Sequence, residues 1–338
     1  NEFTVGFLRS LYNLSGETGP YNSVGIGTVD GITVIPSGNA LATYGVPTRQ
    51  EQRSELYANN SIQWNQNWTT WLGVRHTQLK RASGKSDGSE VNTPLDQSFS
   101  TPWLATGYQF LPEQQVYASY GQGIETLNVP QLGYSNSGQA MPAKRSKQFE
   151  LGVKGHCSHT NWGVNLFRTE RPEGNAPDAT TYVIDGESVH TGIESQFRTQ
   201  MGRWSFDTSV MLLQAERRGS ANAAINGKAP TNVPKHAIKL SAGYRFESVP
   251  GLSAHAMLIN EGRRNVLPNN SVQAPAWTQI DVGMRYKQKW QQQVVTWQGS
   301  IQNLTNNKAW RSTPYQFSHV YLLPLQPITF TASATVDF

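Results

Sequence analysis

Hydrophobic and polar residues alternate one by one along much of the chain, and the C-terminal segment shows this pattern most plainly. From Ile328 to Phe338 every even position is apolar and every odd position is polar. Successive side chains of a strand point to opposite faces, so this segment has one apolar and one polar face. The same alternation runs through 238–247, 279–286 and 295–302. Helical spacing fits none of these segments, and the pattern therefore predicts strands.

Marking every such segment predicts an all-β chain of about fourteen strands. Several exceed ten residues, which suits a tilted strand that crosses a membrane. The predicted spans are 2–14, 50–64, 67–81, 98–110, 114–123, 145–156, 160–170, 187–199, 202–217, 236–248, 251–263, 276–289, 292–304 and 327–338.

The connections between the predicted strands alternate strictly between long and short. The long ones are 15–49, 82–97, 124–144, 171–186, 218–235, 264–275 and 305–326. The short ones lie at 65–67, 111–113, 157–159, 200–201, 249–250 and 290–291. Outer-membrane barrels have short periplasmic turns and long extracellular loops, whereas loops this long are uncommon in compact soluble domains. The arrangement therefore favours a transmembrane antiparallel β-barrel.

Large aromatic residues lie close to the short turns or to the C-terminus. Amphipathic rings are stable at a membrane interface, so we interpret this group as a periplasmic girdle, although aromatic side chains at strand ends of an ordinary core would give a similar pattern. The group consists of Trp64, Trp68, Phe110, Trp162, Trp204, Phe246, Trp290 and Phe338.

Composition agrees with this interpretation and excludes several classes of protein. The 338 residues are 37% hydrophobic and only 15% charged, while aromatic residues reach 10%. Such an aromatic content argues against disorder, and the chain lacks the run of about 18 apolar residues that a membrane helix needs. The net charge of +5 is too small for its length to indicate nucleic-acid binding. Because strand-like alternation begins directly at Asn1-Glu2-Phe3 without an initiator Met, we expect the chain to be part of a longer protein.

Four segments resemble the barrel of TonB-dependent outer-membrane receptors, most nearly the ferric-siderophore branch. They are Val116–Gly123, which runs into a long loop, Lys144–Gly155, which follows that loop, the Gly-x-Glu element Thr191–Glu194, and Ile301–Asn306 before the last loop. The chain also ends on Phe338, as the assembly signal of these barrels requires.

The resemblance implies that residues 1–338 are the C-terminal barrel segment of such a receptor, the last fourteen strands of a 22-stranded barrel without its plug and first strands. It implies an outer-membrane protein that binds and imports a ferric siderophore or similar metal chelate. Its expected partners are that chelate, the TonB complex acting through the missing N-terminal region, and outer-membrane lipid and lipopolysaccharide. One alternative is a complete fourteen-stranded diffusion channel whose first and last strands pair. Another is a membrane-anchored adhesin.

Ferric siderophores are often anionic, so a receptor needs basic and aromatic groups at its outer mouth. Arginine suits planar, bidentate contacts to carboxylates. Basic residues at the outer rim could instead bridge lipopolysaccharide phosphates or pair with local carboxylates such as Glu216 and Glu261. The candidate ligand-binding residues are Arg217, Arg263, Arg264, Arg311, Tyr134, Tyr315 and His319.

The sequence favours no catalytic residues, metal site or cofactor. An outer-membrane phospholipase would need a Ser/His pair on the lipid-facing rim, and no spacing pairs His190, His236, His255 or His319 with a serine. The run 156–159 (His-Cys-Ser-His) has soft-metal ligands, but three such residues cannot close a tetrahedral site, so we interpret it as a tight turn. On the lumenal face, we expect Lys239, Arg245, Asp281 and Arg285 to form a charge ladder between strands.

Overall fold

The computed structural model describes residues 1–16, 19–20, 43–88, 94–130, 134–291, 293–316 and 319–337. Its main feature is one antiparallel sheet of fourteen strands that follow one another in chain order. The strands are β1 Glu2–Leu14, β2 Pro47–Gln63, β3 Trp68–Lys85, β4 Leu95–Leu111, β5 Gln114–Glu125, β6 Lys144–Cys157, β7 Thr160–Asn175, β8 Val183–Met201, β9 Trp204–Arg218, β10 His236–Arg245, β11 Leu252–Glu261, β12 Trp277–Trp290, β13 Gln293–Gln302 and β14 Thr329–Asp337.

The prediction of an all-β chain with fourteen antiparallel strands is confirmed. The largest differences lie on the side of the long loops, where several strands run further than predicted. Strand β3 continues to Lys85, and β7 continues to Asn175. Backbone pairing persists there, for example between Thr48 and Gly84, but neither face is apolar. A hydrophobic pattern cannot mark a strand in which neither face is apolar, and here the inner face buries the polar side chains of Arg81 and Ser83.

Short turns join the strands at the opposite end, and one of them differs from the prediction. The turn predicted at Gln200-Met201 lies instead at Gly202-Arg203, because Met201 still pairs with Trp204. Gly202 has a φ of 59°, the left-handed conformation that a two-residue hairpin turn requires at its first position.

The two faces of the sheet differ in chemistry, as the alternation predicts. On one face, apolar side chains from neighbouring strands lie side by side and exposed, among them Leu151, Leu166 and Ile193, which are aligned across β6, β7 and β8. The other face carries charged and polar side chains, and long loops fold over it. We call the first the outer face and the second the inner face. This is the pattern of a barrel with a lipid-facing wall and a polar lumen.

Most of the predicted girdle residues are exposed around the short turns. Trp64, Trp68, Phe110, Trp204 and Trp290 are all more than two-fifths exposed. Trp162 and Phe246 are half-buried. Phe338 lies outside the described residues.

The long loops contain short elements of their own. These are the paired two- or three-residue strands Gly19–Pro20 with Thr43–Tyr44, Arg264–Asn265 with Gln273–Ala274, Trp310–Ser312 with Leu323–Pro324, and Tyr315–Gln316 with His319–Val320, together with the 3-10 helix Ala223–Ile225. Within the described part of the chain, no helix has the length and apolar character needed to cross a membrane.

Candidate functional site

The loop between β5 and β6 folds back over the inner face of the sheet and is held there by Arg81. The described parts of this loop, 126–130 and 134–143, are called the latched segment. The Arg81 side chain is 1% exposed, and its Nε donates to Glu51 Oε2 at 3.0 Å. Its other nitrogens donate to the carbonyls of Leu127 and Met141 and, at 2.7 Å, to Oδ1 of Asn128. This buried guanidinium uses four of its five N–H donors, one on a carboxylate and three on loop acceptors, so it fixes the segment to the wall.

Further contacts hold the end of the latched segment. Gln97 of β4 accepts from the backbone N–H of Ala143 at 2.7 Å. Ser83 of β3 accepts from the N–H of Ala140 at 3.0 Å. Apolar side chains of the wall and the segment are buried together at this place: Leu79, Val129, Met141 and Ala143.

The latched segment also meets the loop that precedes β8, and this contact brings two tyrosines together. Asn136 exchanges two hydrogen bonds with the backbone of Tyr182, at 2.8 and 3.0 Å. The rings of Tyr134 and Tyr182 then lie 5.1 Å apart at an angle of 55°. This tilted arrangement is favourable for aromatic pairs. It leaves two half-buried phenols side by side on the side of the long loops.

Two more residues, Arg217 and Tyr315, lie near this pair of tyrosines. Burial, with smaller contributions from Tyr134 and Glu173, raises the pKa of Tyr182 to about 12, and Arg217 lies close enough to oppose them. Burial also raises the pKa of Tyr134, and Tyr315 contributes. Arg217 is half-buried at the end of β9, and its Nη1 donates to the carbonyl of Pro268 at 3.3 Å. The candidate Tyr134 therefore packs on Tyr182, with Arg217 near Tyr182 and Tyr315 near Tyr134, and both phenols of the pair stay protonated at neutral pH.

Three other loops are joined to one another through Asn232. These loops, 219–235, 262–276 and 303–316, are called the tied loops. Oδ1 of Asn232 accepts from Arg264 Nη1 at 3.2 Å and from the N–H of Thr313 at 2.8 Å. Its Nδ2 donates to Ser312 Oγ at 3.0 Å, and its N–H donates to the carbonyl of Asn265 at 2.8 Å. One amide side chain thus fixes the position of the loop that carries Tyr315.

The other candidate ligand-binding residues predicted from the sequence lie apart from this tyrosine pair and do not form a single cluster. Arg264 is buried and paired with Glu261, so its charge is used within the tied loops, as the alternative of local pairing anticipates. Arg263 is exposed beside it. Arg311 and His319 are exposed on the paired short strands of the last loop.

The prediction of which residues form a charge ladder on the inner face is wrong. In the described part of the chain, Lys239, Arg245, Asp281 and Arg285 form no ion pair with one another. Asp281 instead accepts from the N–H of Asn303 at 2.8 Å, which stabilises the turn that follows β13.

The inner-face ion ladder lies on β2 and β3 instead. Glu51 bridges Arg81 and Arg53, and Glu55 contacts Arg53 at 3.9 Å and Arg75 at 3.5 Å. Sequence reasoning missed this ladder and Tyr182. The signal for the ladder is the run of charged residues at every second position from 49 to 55.

Three serine–histidine contacts occur among the described residues, and one of them joins the adjacent Ser158 Oγ and His159 Nδ1 at 2.8 Å in a short turn. On the inner face His190 Nε2 lies 3.1 Å from Ser188 Oγ, but the Ser188 residue is 1% exposed. On the outer face His76 Nδ1 lies 3.1 Å from Ser100 Oγ. Within the part of the chain that the structure describes, no carboxylate orients the His76 ring, so this pair lacks the third member of a hydrolytic triad.

The turn at 156–159 has the tight geometry that the sequence suggests. Ser158 has a φ of 53°, His156 contacts Asn161, and Cys157 is exposed and unpaired. The described residues contain no group of three or more His, Cys, Asp or Glu side chains that could hold a metal ion.

Comparison with known proteins defines the class of this barrel. Residues 2–304 match the family model described as TonB dependent receptor-like, beta-barrel. The chain therefore belongs to the TonB-dependent receptor family, whose members are outer-membrane receptors and transporters rather than enzymes.

Among individual proteins, the chain is similar to the ferrichrome receptor FcuA of Yersinia enterocolitica, with 25% identity over 98% of this chain and 44% of the relative. It is also similar to the ferrichrome outer membrane transporter/phage receptor of Escherichia coli K12, with 24% identity over 72% of this chain and 32% of the relative. The structure of BauA, the ferric preacinetobactin receptor of Acinetobacter baumannii, shares the fold with a TM-score of 0.75 and 24% identity, over 90% of this chain and 45% of that one. The chain thus spans less than half the length of these relatives.

Proposed function

We propose that residues 1–338 form most of the barrel wall and outer mouth of a receptor that binds a ferric siderophore and imports it with energy supplied through TonB. The observation that carries this proposal is the gathering of Tyr134, Tyr182, Tyr315 and Arg217 where two sets of long loops meet, in a chain of this family. The names of the two curated relatives support ferrichrome as the first ligand to test.

The cluster has suitable chemistry for a preformed iron chelate. A siderophore encloses Fe³⁺ in its own oxygen donors, so the receptor needs hydrogen-bond donors and flat apolar surfaces rather than metal ligands. Protonated phenols donate hydrogen bonds to chelate oxygens, and their rings pack against the ligand backbone. Arg217 supplies a fixed positive charge whose planar fork matches carboxylate or hydroxamate oxygens. Binding and gated passage require no covalent step.

A passive fourteen-stranded channel is the less favoured alternative. It requires β1 and β14 to pair, yet in the described residues these strands form the two edges of the sheet. The latched segment also covers part of the inner face at the mouth. We further propose that the plug and the TonB-binding segment belong to the rest of the receptor, and that lipopolysaccharide contacts the outer rim.

Uptake by the receptor expressed from its complete gene tests the proposal. In a strain without its own ferrichrome receptor, we expect saturable uptake of radiolabelled ferric ferrichrome that stops when TonB is removed. Uptake that rises linearly with concentration and persists without TonB would instead show a diffusion channel. If ferrichrome is not taken up, a citrate, catecholate and hydroxamate panel separates a wrong ligand from a wrong mechanism.

Substitutions in the cluster test the site itself. Tyr182→Ala removes the central ring, and Arg217→Ala removes the charge. We expect each to weaken chelate binding by the receptor about tenfold, since one good hydrogen bond or ring contact is worth about 1.4 kcal/mol. Lys228→Ala is the matched control, because Lys228 is exposed on the neighbouring loop. Equal affinities for all three variants would place the ligand elsewhere.

A further inference from the structure

The hairpin that presents Tyr182 carries an excess of negative charge. Residues 173–185, which join the end of β7 to the start of β8, are called the acidic hairpin. They include three carboxylates, Glu173, Asp178 and Asp185, and no lysine or arginine. A ligand that reaches the tyrosine pair therefore meets this charge.

Two of the three carboxylates accept hydrogen bonds from neutral donors. Oδ1 of Asp178 accepts from the N–H groups of Thr180 and Thr181 at 2.9 and 2.8 Å. Oδ1 of Asp185 accepts from the N–H of Ala221 at 2.7 Å. The bonds from Thr181 and Thr180 lower the pKa of Asp178, so this exposed carboxylate is charged at neutral pH. A neutral donor stabilises a carboxylate without cancelling its charge.

The third carboxylate, Glu173, lies next to the Tyr182 ring. The ring covers Gly174, because a Cβ atom at Gly174 would lie 2.5 Å from it. Glu173 is the preceding residue, and its carboxylate is within electrostatic reach of the Tyr182 phenol and of the Arg217 guanidinium. Glu173 therefore offsets part of the positive charge that Arg217 brings to the tyrosine pair.

Neighbouring arginines add no net positive charge, since they are already paired. Arg171, on the same strand as Glu173, pairs with Glu125 at 3.1 Å. Arg218, which follows Arg217, pairs with Glu216. This leaves the Arg217 guanidinium for a ligand, beside a hairpin with three negative charges.

Net charge separates the main classes of ferric chelate. Three hydroxamates, each a monoanion, cancel the charge of Fe³⁺ and give a neutral complex. Three catecholates leave three negative charges, and chelates with spare carboxylates are anionic as well. Like charges repel, and the repulsion is stronger where water is partly excluded, as it is around the half-buried Tyr182.

We propose that Glu173 is a specificity-determining residue, which together with Asp178 selects chelates without net negative charge, the ferric trihydroxamates first among them. Glu173 balances Arg217, so the guanidinium donates to hydroxamate oxygens without favouring an anion. Asp178, exposed on the loop before Tyr182, repels carboxylate substituents as they approach. This inference rests on the proposed function, because it concerns the chelate that the tyrosine pair binds.

Equilibrium binding of two iron-radiolabelled chelates to the complete receptor tests the proposal. Ferric ferrichrome is neutral, and ferrichrome A is an analogue with three free carboxylates. We expect the wild type to bind ferrichrome about tenfold more tightly than ferrichrome A. Glu173→Gln removes the charge at nearly constant size and should narrow the ratio of the two dissociation constants about threefold. Glu173→Gln/Asp178→Asn should narrow it further.

Glu187→Gln is the matched control for these variants. It removes the same charge from an exposed residue of β8, and alternation from Ile193 places Glu187 on the outer face. We expect its ratio of dissociation constants to equal that of the wild type. Equal ratios for Glu173→Gln and Glu187→Gln would overturn the role of Glu173.

Salt separates rejection by charge from rejection by size. Screening weakens the repulsion between charges, so the ratio for the wild type should fall as sodium chloride rises from about 0.05 to about 0.5 M. A ratio that salt does not change would mean that the bulk of ferrichrome A excludes it, and would overturn the proposal. Equal affinity of the wild type for both chelates would overturn it too, while leaving the proposed function intact. Binding of neither chelate would overturn this inference together with the assignment of the site.

Discussion

The latched segment and the tied loops reach the same mouth by different means. The latched segment is held by a buried cation of the wall, Arg81, which binds mainly backbone carbonyls of the segment. The tied loops are held by the side-chain amide of Asn232, which needs particular partners in two neighbouring loops. A clamp on backbone carbonyls tolerates new side chains, whereas an amide network does not. Exposed residues can therefore vary more freely on the latched segment.

The largest expected effect comes from removing the cation that holds the latched segment. Arg81→Met leaves Glu51 with one partner fewer and orphans the carbonyls of Leu127 and Met141. Breaking a buried charged network of this kind destabilises the local structure by about 3–5 kcal/mol. Hydrogen exchange of the complete receptor should show the segment losing protection while the tied loops keep theirs.

Arg75→Met is the control for that experiment. Arg75 belongs to the same ion ladder, but its side chain is 53% exposed, and Glu55 keeps its contacts with Arg53 and Thr77 when Arg75 is removed, so a smaller loss is expected. If Arg75→Met and Arg81→Met increased hydrogen exchange of the latched segment equally, the whole ion ladder, rather than Arg81 alone, would hold the segment.

A smaller effect is expected when the tied loops are released. Asn232→Ala removes the amide hydrogen bonds and places alanine at a φ of 61°, which together destabilise the loops by about 2–4 kcal/mol. Asn232→Gly restores the backbone conformation and isolates the amide contribution. We expect exchange at 310–316 to rise in both variants, and more in Asn232→Ala. Unchanged exchange there with opening of the latched segment would contradict the division into two regions.

Gln97→Leu should loosen only the end of the latched segment. It removes the bonds between Gln97 and the backbone of Ala143 while keeping much of the side-chain volume. We expect a loss of about 0.5–1.5 kcal/mol, visible as faster exchange of the Ala143 amide alone. Faster exchange along the entire segment would mean that Arg81 is not sufficient to hold it.

The smallest expected effect is the pH dependence of stability at Tyr182, whose ring lies against Tyr134 of the latched segment. Because the pKa of Tyr182 is raised to about 12, its protonated phenol adds stability that is fully present below the ordinary tyrosine pKa of about 10. That contribution is lost as pH rises through about 12. The difference in tyrosinate absorbance between the wild type and Tyr182→Phe should contain a component that titrates near pH 12. A component near pH 10 would show that Tyr182 is exposed.

The sequence was most informative where one face of a strand meets lipid. Alternation such as that from Ile328 to Phe338 gives a clear period of two, and all fourteen strands were predicted within a few residues. Beyond the bilayer, as in β3 up to Lys85, neither face is apolar and the signal disappears. Tyr134, Tyr315 and Arg217 were predicted from residue type and loop position. Their convergence on Tyr182 depends on contacts between distant parts of the chain.

The latch illustrates why such contacts escape a single sequence. Arg81 and Met141 are 60 residues apart, and the acceptor is a backbone carbonyl, which every residue type carries. Arg264 shows the opposite difficulty, since its type and loop position suggest ligand binding while Glu261 takes up its charge. Residue type predicts what a side chain is able to bind, but the three-dimensional path of the loops decides what it does bind.

The position of the latched segment also bears on ionic conductance. Because Arg81 fixes this segment over the inner face, the segment takes up part of the space that the wall alone would leave open at the outer end of the lumen. If the material that fills the lumen were removed, electrical recordings would show a smaller current than a cylinder of the same strand number carries. Releasing the segment with Arg81→Met would then widen the entrance and raise that current.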